Sequence, residues 1–304
     1  MSTAAALATS LALLAGGVYF VAVLDGMVFA LHARQWPVDT WADPWRRAAA
    51  LLMQQSSSTE RPDGLNGALA PTLFLGLAAF GIVLVPMAPG VVTPGGTVGI
   101  VWWGTVESLV VVAVFLHGWS ANSLMPLVGA FRYVAIGLPA MLLSMFVLIA
   151  AALPAQSLSL SAIVESQHEL WNVVRQPLGL PLFLLLGLSV SLRGPFDYAD
   201  SADLAGGTTA EASGAPLLVW KVARLGMLVS FAAIASTVFL GGYLGPFWPS
   251  PLWLALKTAL LLAVLVLVGD SFARLPPSRM LTLLWVVLLP LAFLDLLLAG
   301  WEAL

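Results

Sequence analysis

The sequence has no cysteine among its 304 residues. Disulfides, thiol catalysis and Fe–S clusters ligated by this chain are therefore excluded. Charge is almost as scarce. Only 9% of residues are charged, against about 25% in a soluble domain. A chain this poor in charge cannot cover a globule with solvated side chains, so its natural solvent is lipid. The formal net charge of −3 gives no basic footprint for nucleic acid. Histidine is scarce too, occurring three times. The N-terminus lacks a basic region. Its first apolar run, 11–31, is too long for a signal-peptide core and reads as a retained helix.

What the chain has in quantity is apolar length, with 60% hydrophobic residues. A helix needs about 20 apolar residues to cross the hydrocarbon. Eight runs qualify as spans: 11–31, 69–87, 98–115, 124–152, 178–192, 217–240, 253–268 and 281–298. The fifth is short and is expected to extend at one end or the other. The connectors carry turn residues such as Pro89-Gly90, Pro94-Gly95-Gly96 and Gly245-Pro246. The expected fold is therefore all-α, a polytopic membrane helix bundle of about eight transmembrane helices forming a single membrane domain over 1–304.

Lysine and arginine orient it. Ten of the twelve basic residues fall on the first, third, fifth and seventh connectors or their flanks: Arg34, Arg46, Arg47, Arg61, Arg132, Arg193, Lys221, Arg224, Arg274 and Arg279. Arg175 and Lys257 are the exceptions. Basic loops stay in the cytoplasm, so both termini are expected outside it. The first connector, 32–66, contains Asp43-Pro44-Trp45-Arg46-Arg47, an N-terminal helix signal followed by an apolar stretch. It reads either as an interfacial amphipathic helix or as a plain surface helix. The fifth connector, 193–216, is acidic.

Familiar site motifs fail. His168-Glu169-Leu170-Trp171-Asn172 begins like a zinc-protease helix, but Asn172 stands where the second histidine is required. Asp197, Asp200 and Asp203 are spaced by three, unlike a calcium loop, and read as one face of a helix. His32 and His117 are isolated and His168 has Glu165 one turn away; each reads as an interfacial polar group. Three acids fall inside spans, where charge costs about 2.5–3.5 kcal/mol on insertion scales. Glu107, near mid-span, is the proton-transfer candidate; the alternative is a hydrogen-bonded contact between helices. Asp25 lies toward the cytoplasmic end of the first span, within reach of an inward-opening cavity. Asp295 lies near the outer end of the last span and is expected to reach the headgroups. Lys221 and Arg224 share a helix face, either snorkelling or pairing with the acids of the fifth connector.

Several stretches carry a resemblance: Gly118-Trp119-Ser120-Ala121-Asn122-Ser123 with Gly129-Ala130-Phe131-Arg132, Glu165-Ser166-Gln167, and Gln176-Pro177-Leu178-Gly179. The most specific is Arg193-Gly194-Pro195-Phe196-Asp197, continuing to Asp203-Leu204, Gly207, Glu211 and Ser213-Gly214. Together they resemble the H subunit of bacterial NADH–quinone oxidoreductase, complex I, from about residue 66 onward. The resemblance implies a subunit at the foot of a peripheral arm, whose first helix, amphipathic helix and acidic loop help form a quinone chamber. It implies quinone as substrate, no cofactor held by this chain, Fe–S clusters in partner subunits, further membrane subunits, and the cytoplasmic membrane of a prokaryote. Chamber and loop candidates are then Asp25, Arg34, Arg46, Arg193, Asp197, Asp200, Asp203, Glu211 and Arg224. Arg193 and Asp197 would order the fifth connector. Asp200, Asp203 and Glu211 would set a negative field. Arg34, Arg46 and Arg47 would hold the first connector at the membrane surface.

The sequence also departs from that family. Family glutamates map to Val190, Met141 and Arg224, and Asp25 stands for a first-helix glutamate. The first connector lacks the family's Gly-Pro-Asn-Arg motif. Valine and methionine carry no proton, and arginine stays charged. These departures imply a degraded or rerouted proton path. Two further readings stay open: the related subunit of a membrane-bound hydrogenase or formate hydrogenlyase, and a non-catalytic anchor or ion-conducting subunit.

Overall fold

The computed structural model describes residues 2–34, 36, 39–200 and 206–302. Its described residues are helical or irregular. The elements are α1 (Thr3–His32), α2 (Asp43–Met53), α3 (Gly64–Val83), α4 (Gly99–Ser120), α5 (Leu124–Ala152), α6 (Leu160–Glu165), α7 (Asn172–Arg175), α8 (Gly179–Val190), α9 (Gly214–Phe239), α10 (Ser250–Ser271), α11 (Pro277–Leu283) and α12 (Leu289–Glu302). Among the described residues, seven helices are long and apolar enough to cross a membrane, the last being α11 and α12 joined. The join is a π-helical turn at Leu284–Leu288. Pro290 follows it and can donate no backbone hydrogen bond to the preceding turn, which accounts for the widening there.

The fifth expected span does not extend. α8 has 12 residues, roughly 18 Å of helix, too short to cross alone. Pro177 and the α7 turn stop it on one side, and Leu192, at φ 55°, on the other. Irregular backbone at membrane depth survives only when protein covers it. Here α8 is buried against α9, with Gly187 under the Phe231 ring. The α7 turn is satisfied by side chains: Asn172 Nδ2 donates to the carbonyls of Ala151 (3.2 Å) and Val238 (2.9 Å). Gln167 Oε1 accepts from the Asn172 and Gly241 amides.

At the centre stands α9, whose residues from Gly226 to Phe239 are all buried. It packs against α1, α3, α8 and α10. A helix apolar all round belongs in a bundle core. Small residues permit the close approaches that membrane helices rely on. A Cβ on Gly17 of α1 would lie 2.7 Å from Val229, and one on Gly81 of α3 would lie 2.7 Å from Trp103.

The connectors meet in two groups. Asn122 donates to the Arg61 carbonyl, Ser57 bonds Ser213, Ser123 donates to Glu211, and Arg274 pairs with Asp197. These contacts join the first, third, fifth and seventh connectors at one end. The second, fourth and sixth meet at the other, where Ile100 bonds Leu158 and Tyr243 donates to Glu165. Burial and the Glu165 carboxylate push the Tyr243 phenol above its ordinary value, so it remains the donor.

Candidate functional site

Three helices present one stripe each to a cavity of about 800 Å³. From α1 come Leu11, Leu14, Val18, Ala22 and Asp25; from α2, Pro44, Arg47, Ala48 and Leu51; from α9, Leu218, Lys221, Val222 and Leu225. Each set repeats every three or four residues, the spacing of one helix face. α2 packs beside the cavity against α1 and α9. Tyr19 Oη donates to the Trp41 carbonyl (2.9 Å), and the Tyr19 and Trp45 rings sit 6.1 Å apart. The first connector thus forms a helix that closes over α1 while leaving its own residues accessible. The walls are mainly aliphatic. The polar side chains gather around Asp25, Arg47, Ser191, Arg193, Lys221 and Arg224.

Two arginines organise that polar corner. Arg193 grips Asp25 with both terminal nitrogens, one at 3.2 Å, and reaches Asp270 of α10 at 3.6 Å. Arg224 pairs with Asp200 and also donates to the backbone carbonyls of Ser191, at 3.3 Å, and Leu192. Thr208 and Thr209 donate to the same Asp200 carboxylate. So Arg224 holds the end of α8 to the acidic loop. Lys221 has no such clamp among the described residues: it is exposed and lines the cavity. Among the described residues no three histidine or carboxylate side chains cluster to hold a metal ion.

The structure brings some sequence candidates together and separates others. Asp25, Arg193 and Arg224 line the cavity, and Asp200 stands behind Arg224. Asp197 is outside it, held by Arg274 through bonds of 2.7 and 2.6 Å. Asp197 and Asp200 lie in turns, which corrects the helix-face reading: each acid turns to its own arginine. Asp203 lies outside the described residues. Arg34 is exposed just beyond α1. Arg46 is exposed too and pairs with Asp39 (3.6 Å) and Asp43 (3.5 Å), while its neighbour Arg47 faces the cavity. Glu211 borders a second cavity.

The intramembrane acids separate as well. Glu107 is 1% exposed; its Oε1 accepts from Trp103 Nε1 (2.7 Å) and from Ser144 Oγ (2.9 Å) on α5. Its other oxygen has no partner among the described residues. The interhelical contact is therefore real, and half the carboxyl remains open. Asp295 does not reach the headgroups. It is buried facing the start of α8, near Gln176 and Gly179.

Sequence reasoning missed Asp270, Tyr19 and Ser191. Asp270 gave no signal, because its role depends on α10 ending beside Arg193. It also took His117 for an isolated interfacial group. The ring is buried and stacked on Trp220, centroids 3.8 Å apart and planes 16° apart. Nothing in the sequence joins positions 117 and 220.

Comparison with known proteins follows the same lines. The family model for NADH dehydrogenase matches residues 10–300. The first of the NADH-quinone oxidoreductase H subunits of Rhodopseudomonas palustris (strain HaA2) is 32% identical over 269 residues, covering 88% of this chain and 81% of that protein. Its counterpart in strain BisB5 is 33% identical over 225 residues, 74% and 70% of the two chains. The second such protein of strain ATCC BAA-98 / CGA009 is 31% identical over 269 residues, 88% and 81%.

Proposed function

The chain belongs to the NADH dehydrogenase family, and from that premise we propose that it is the quinone-chamber membrane subunit of a complex I-like respiratory oxidoreductase. The carrying observation is the cavity among α1, α2 and α9. Its volume of about 800 Å³ falls in the ordinary range of ligand sites, roughly 300–1,000 Å³. Its aliphatic stripes suit an isoprenoid tail and its polar corner suits a quinone headgroup. Reduction puts negative charge on the ring oxygens before protons arrive. Lys221 and Arg47, both on the lining, are placed to favour that charge.

The electrons come from Fe–S clusters of soluble partners that dock on the charged end, where the ion-paired 193–200 turn and α2 offer a fixed surface. That end faces the cytoplasm of a prokaryote and the protein sits in its cytoplasmic membrane. The proton path of the family is rerouted here. Val190 is buried in the apolar core, and its carbonyl accepts from Tyr133 Oη at 3.1 Å. Met141 packs against the core. Arg224 is committed to Asp200. The acids at these positions are thus replaced by groups with structural work.

The test is purification of the tagged assembly in mild detergent, with identification of its subunits and labelling by a photoreactive quinone. Recovery of Fe–S and flavin subunits, with label on α1, α2 or α9 that Val222→Trp abolishes, is the expected result. Recovery of a nickel–iron subunit, or label elsewhere, overturns the reading. Val190→Glu with Met141→Glu addresses the path itself: if the parent assembly already translocates protons as fully as the double variant and Glu107→Gln does not alter it, the path is neither broken nor rerouted.

A further inference from the structure

Arg193 holds two carboxylates on one guanidinium. It grips Asp25 of α1 with both terminal nitrogens, and the Nη2 that bonds Asp25 also lies 3.6 Å from Asp270 of α10. The second contact is too long for a hydrogen bond. The grip is therefore unequal: Asp25 is bonded and Asp270 is only a neighbour. The backbone builds this approach in. α10 passes the arginine at Gly269, where a Cβ would lie 2.9 Å from Arg193 Nε, and a Cβ on the facing Gly194 would lie 2.9 Å from the Gly269 carbonyl oxygen. The Leu275 amide donates to the Pro195 carbonyl at 3.0 Å, which ties the chain beyond α10 to the same turn.

These three groups run from the surface to the chamber. Asp270 is exposed where α10 ends, its side chain 36% accessible. Asp25 and Arg193 are on the chamber lining. Charge among the three does not balance, because one guanidinium opposes two carboxylates. Like charges sharing one site are relieved when one of them takes a proton. A proton on Asp25 would weaken two charge-assisted bonds, whereas one on Asp270 breaks none. Besides Arg193 and Asp25, His32 of α1 acts on Asp270 electrostatically.

We propose that Asp270 is the proton-loading site of the chamber, taking up a proton from the cytoplasmic side when negative charge forms at the polar corner. An O–H bond of hydronium breaks as one forms on an Asp270 oxygen, and no electrons move. A quinone anion at the corner draws on the same Arg193 guanidinium. Asp270 is then less opposed, and a proton becomes its counter-charge. Uptake thus accompanies reduction without an acid at position 190 or 141. The proposal rests on the chamber reading and names the group that answers the chamber's charge.

Two measurements on the intact complex test it. In the first, a hydroxynaphthoquinone, anionic at neutral pH, is bound in weak buffer while an indicator dye follows the pH. A neutral alkylnaphthoquinone is the control. Expected is proton uptake with the anion and little with the control, loss of the anion-linked uptake in Asp270→Asn, and its return in Asp270→Glu. Undiminished uptake in Asp270→Asn overturns the proposal, and so does a loss that Asp270→Glu shares, which would make the residue a structural contact. The second uses a hydrophobic carbodiimide, which attacks protonated carboxyls, on the parent complex, with the modified residues located by mass spectrometry. As the pH is lowered, Asp270 is expected to be modified before Asp25. The opposite order, or simultaneous modification, overturns the unequal grip. If Asp270→Asn does not assemble, this order decides alone. Binding of neither naphthoquinone defeats the chamber reading, and the order of modification still decides whether Asp270 is the carboxyl that takes the proton.

Discussion

Glu107 performs a structural task with one oxygen and leaves the other open, so substitutions separate the two. Glu107→Gln keeps an acceptor for Trp103 and Ser144. It is expected to melt with the parent while slowing any turnover that needs a titrating group there. Glu107→Leu orphans two buried donors and is expected to destabilise by roughly 1–3 kcal/mol. Thermal melting of the purified complex beside its quinone reductase rate reads both. If Glu107→Gln turns over at the parental rate, Glu107 is a structural contact only. The ion pair of Arg224 and Asp200 gives a second contrast. The Asp200 side chain is 2% exposed and cannot turn to water when its partner goes. Arg224→Met is expected to cost about 3–5 kcal/mol, the penalty for an unpaired buried charge. Adding Asp200→Asn removes that charge and recovers much of the loss; equal melting of the single and double variants contradicts the pairing argument. The acids themselves were legible as single residues, because charge in an apolar run is conspicuous. Their partners were not: Asp25 meets Arg193 across 168 positions, a distance no local pattern spans.

At the scale of the helix, close approach rather than apolarity decides what the sequence can be. Gly81 of α3 lies where a Cβ would come within 2.7 Å of Trp103 and 3.3 Å of Ser230. Trp103 cannot retreat freely, because it is fully buried and bonded to Glu107. Gly81→Ala is therefore expected to cost about 1–3 kcal/mol as overpacking and to loosen the Glu107 contact. Melting of this variant, with and without Glu107→Leu, gives less than additive losses because the two share a partner; strictly additive losses would show that α3 does not act through Trp103. The long helices were readable in the sequence because apolar runs of about 20 residues have few other uses. α8 was misjudged because its boundaries are tertiary: Asn172 and Gln167 satisfy backbone of α5, α9 and the turn beyond α9, which lets a half-length helix end inside the bundle. α2 was legible by Pro44 in its first turn, although Asp43 lies inside that turn and Ala42, not an Asp cap, precedes the helix. Its use as a cover depends on Tyr19 meeting Trp41 and Trp45, which only the folded chain shows.

For the whole molecule, the basic residues and the contacts among connectors give one topology by independent routes. Basic side chains crowd the connectors that join at the Arg193 end. Of the two exceptions, Lys257 is no solvated charge at all. It is 7% exposed, its ammonium bonds the carbonyls of Leu240 (2.6 Å), Gly242 (3.0 Å) and Leu244 (2.7 Å), and it lies 4.7 Å above the Trp171 ring. Its charge is absorbed in closing the turn after α9, so only Arg175 stands against the positive-inside count. The absence of cysteine makes the orientation directly measurable, since any cysteine introduced is the only one. Gln55 of the first connector and Glu169 of the fourth are both exposed, at opposite ends of the bundle. In right-side-out spheroplasts an impermeant maleimide is expected to label Glu169→Cys and to spare Gln55→Cys until the membrane is opened. The reverse pattern would place the Arg193 end outside, away from any cytoplasmic electron donor, and would defeat the docking of a peripheral arm there. Labelling of both from outside would mean that α3, α4 and α5 do not cross as the contacts require.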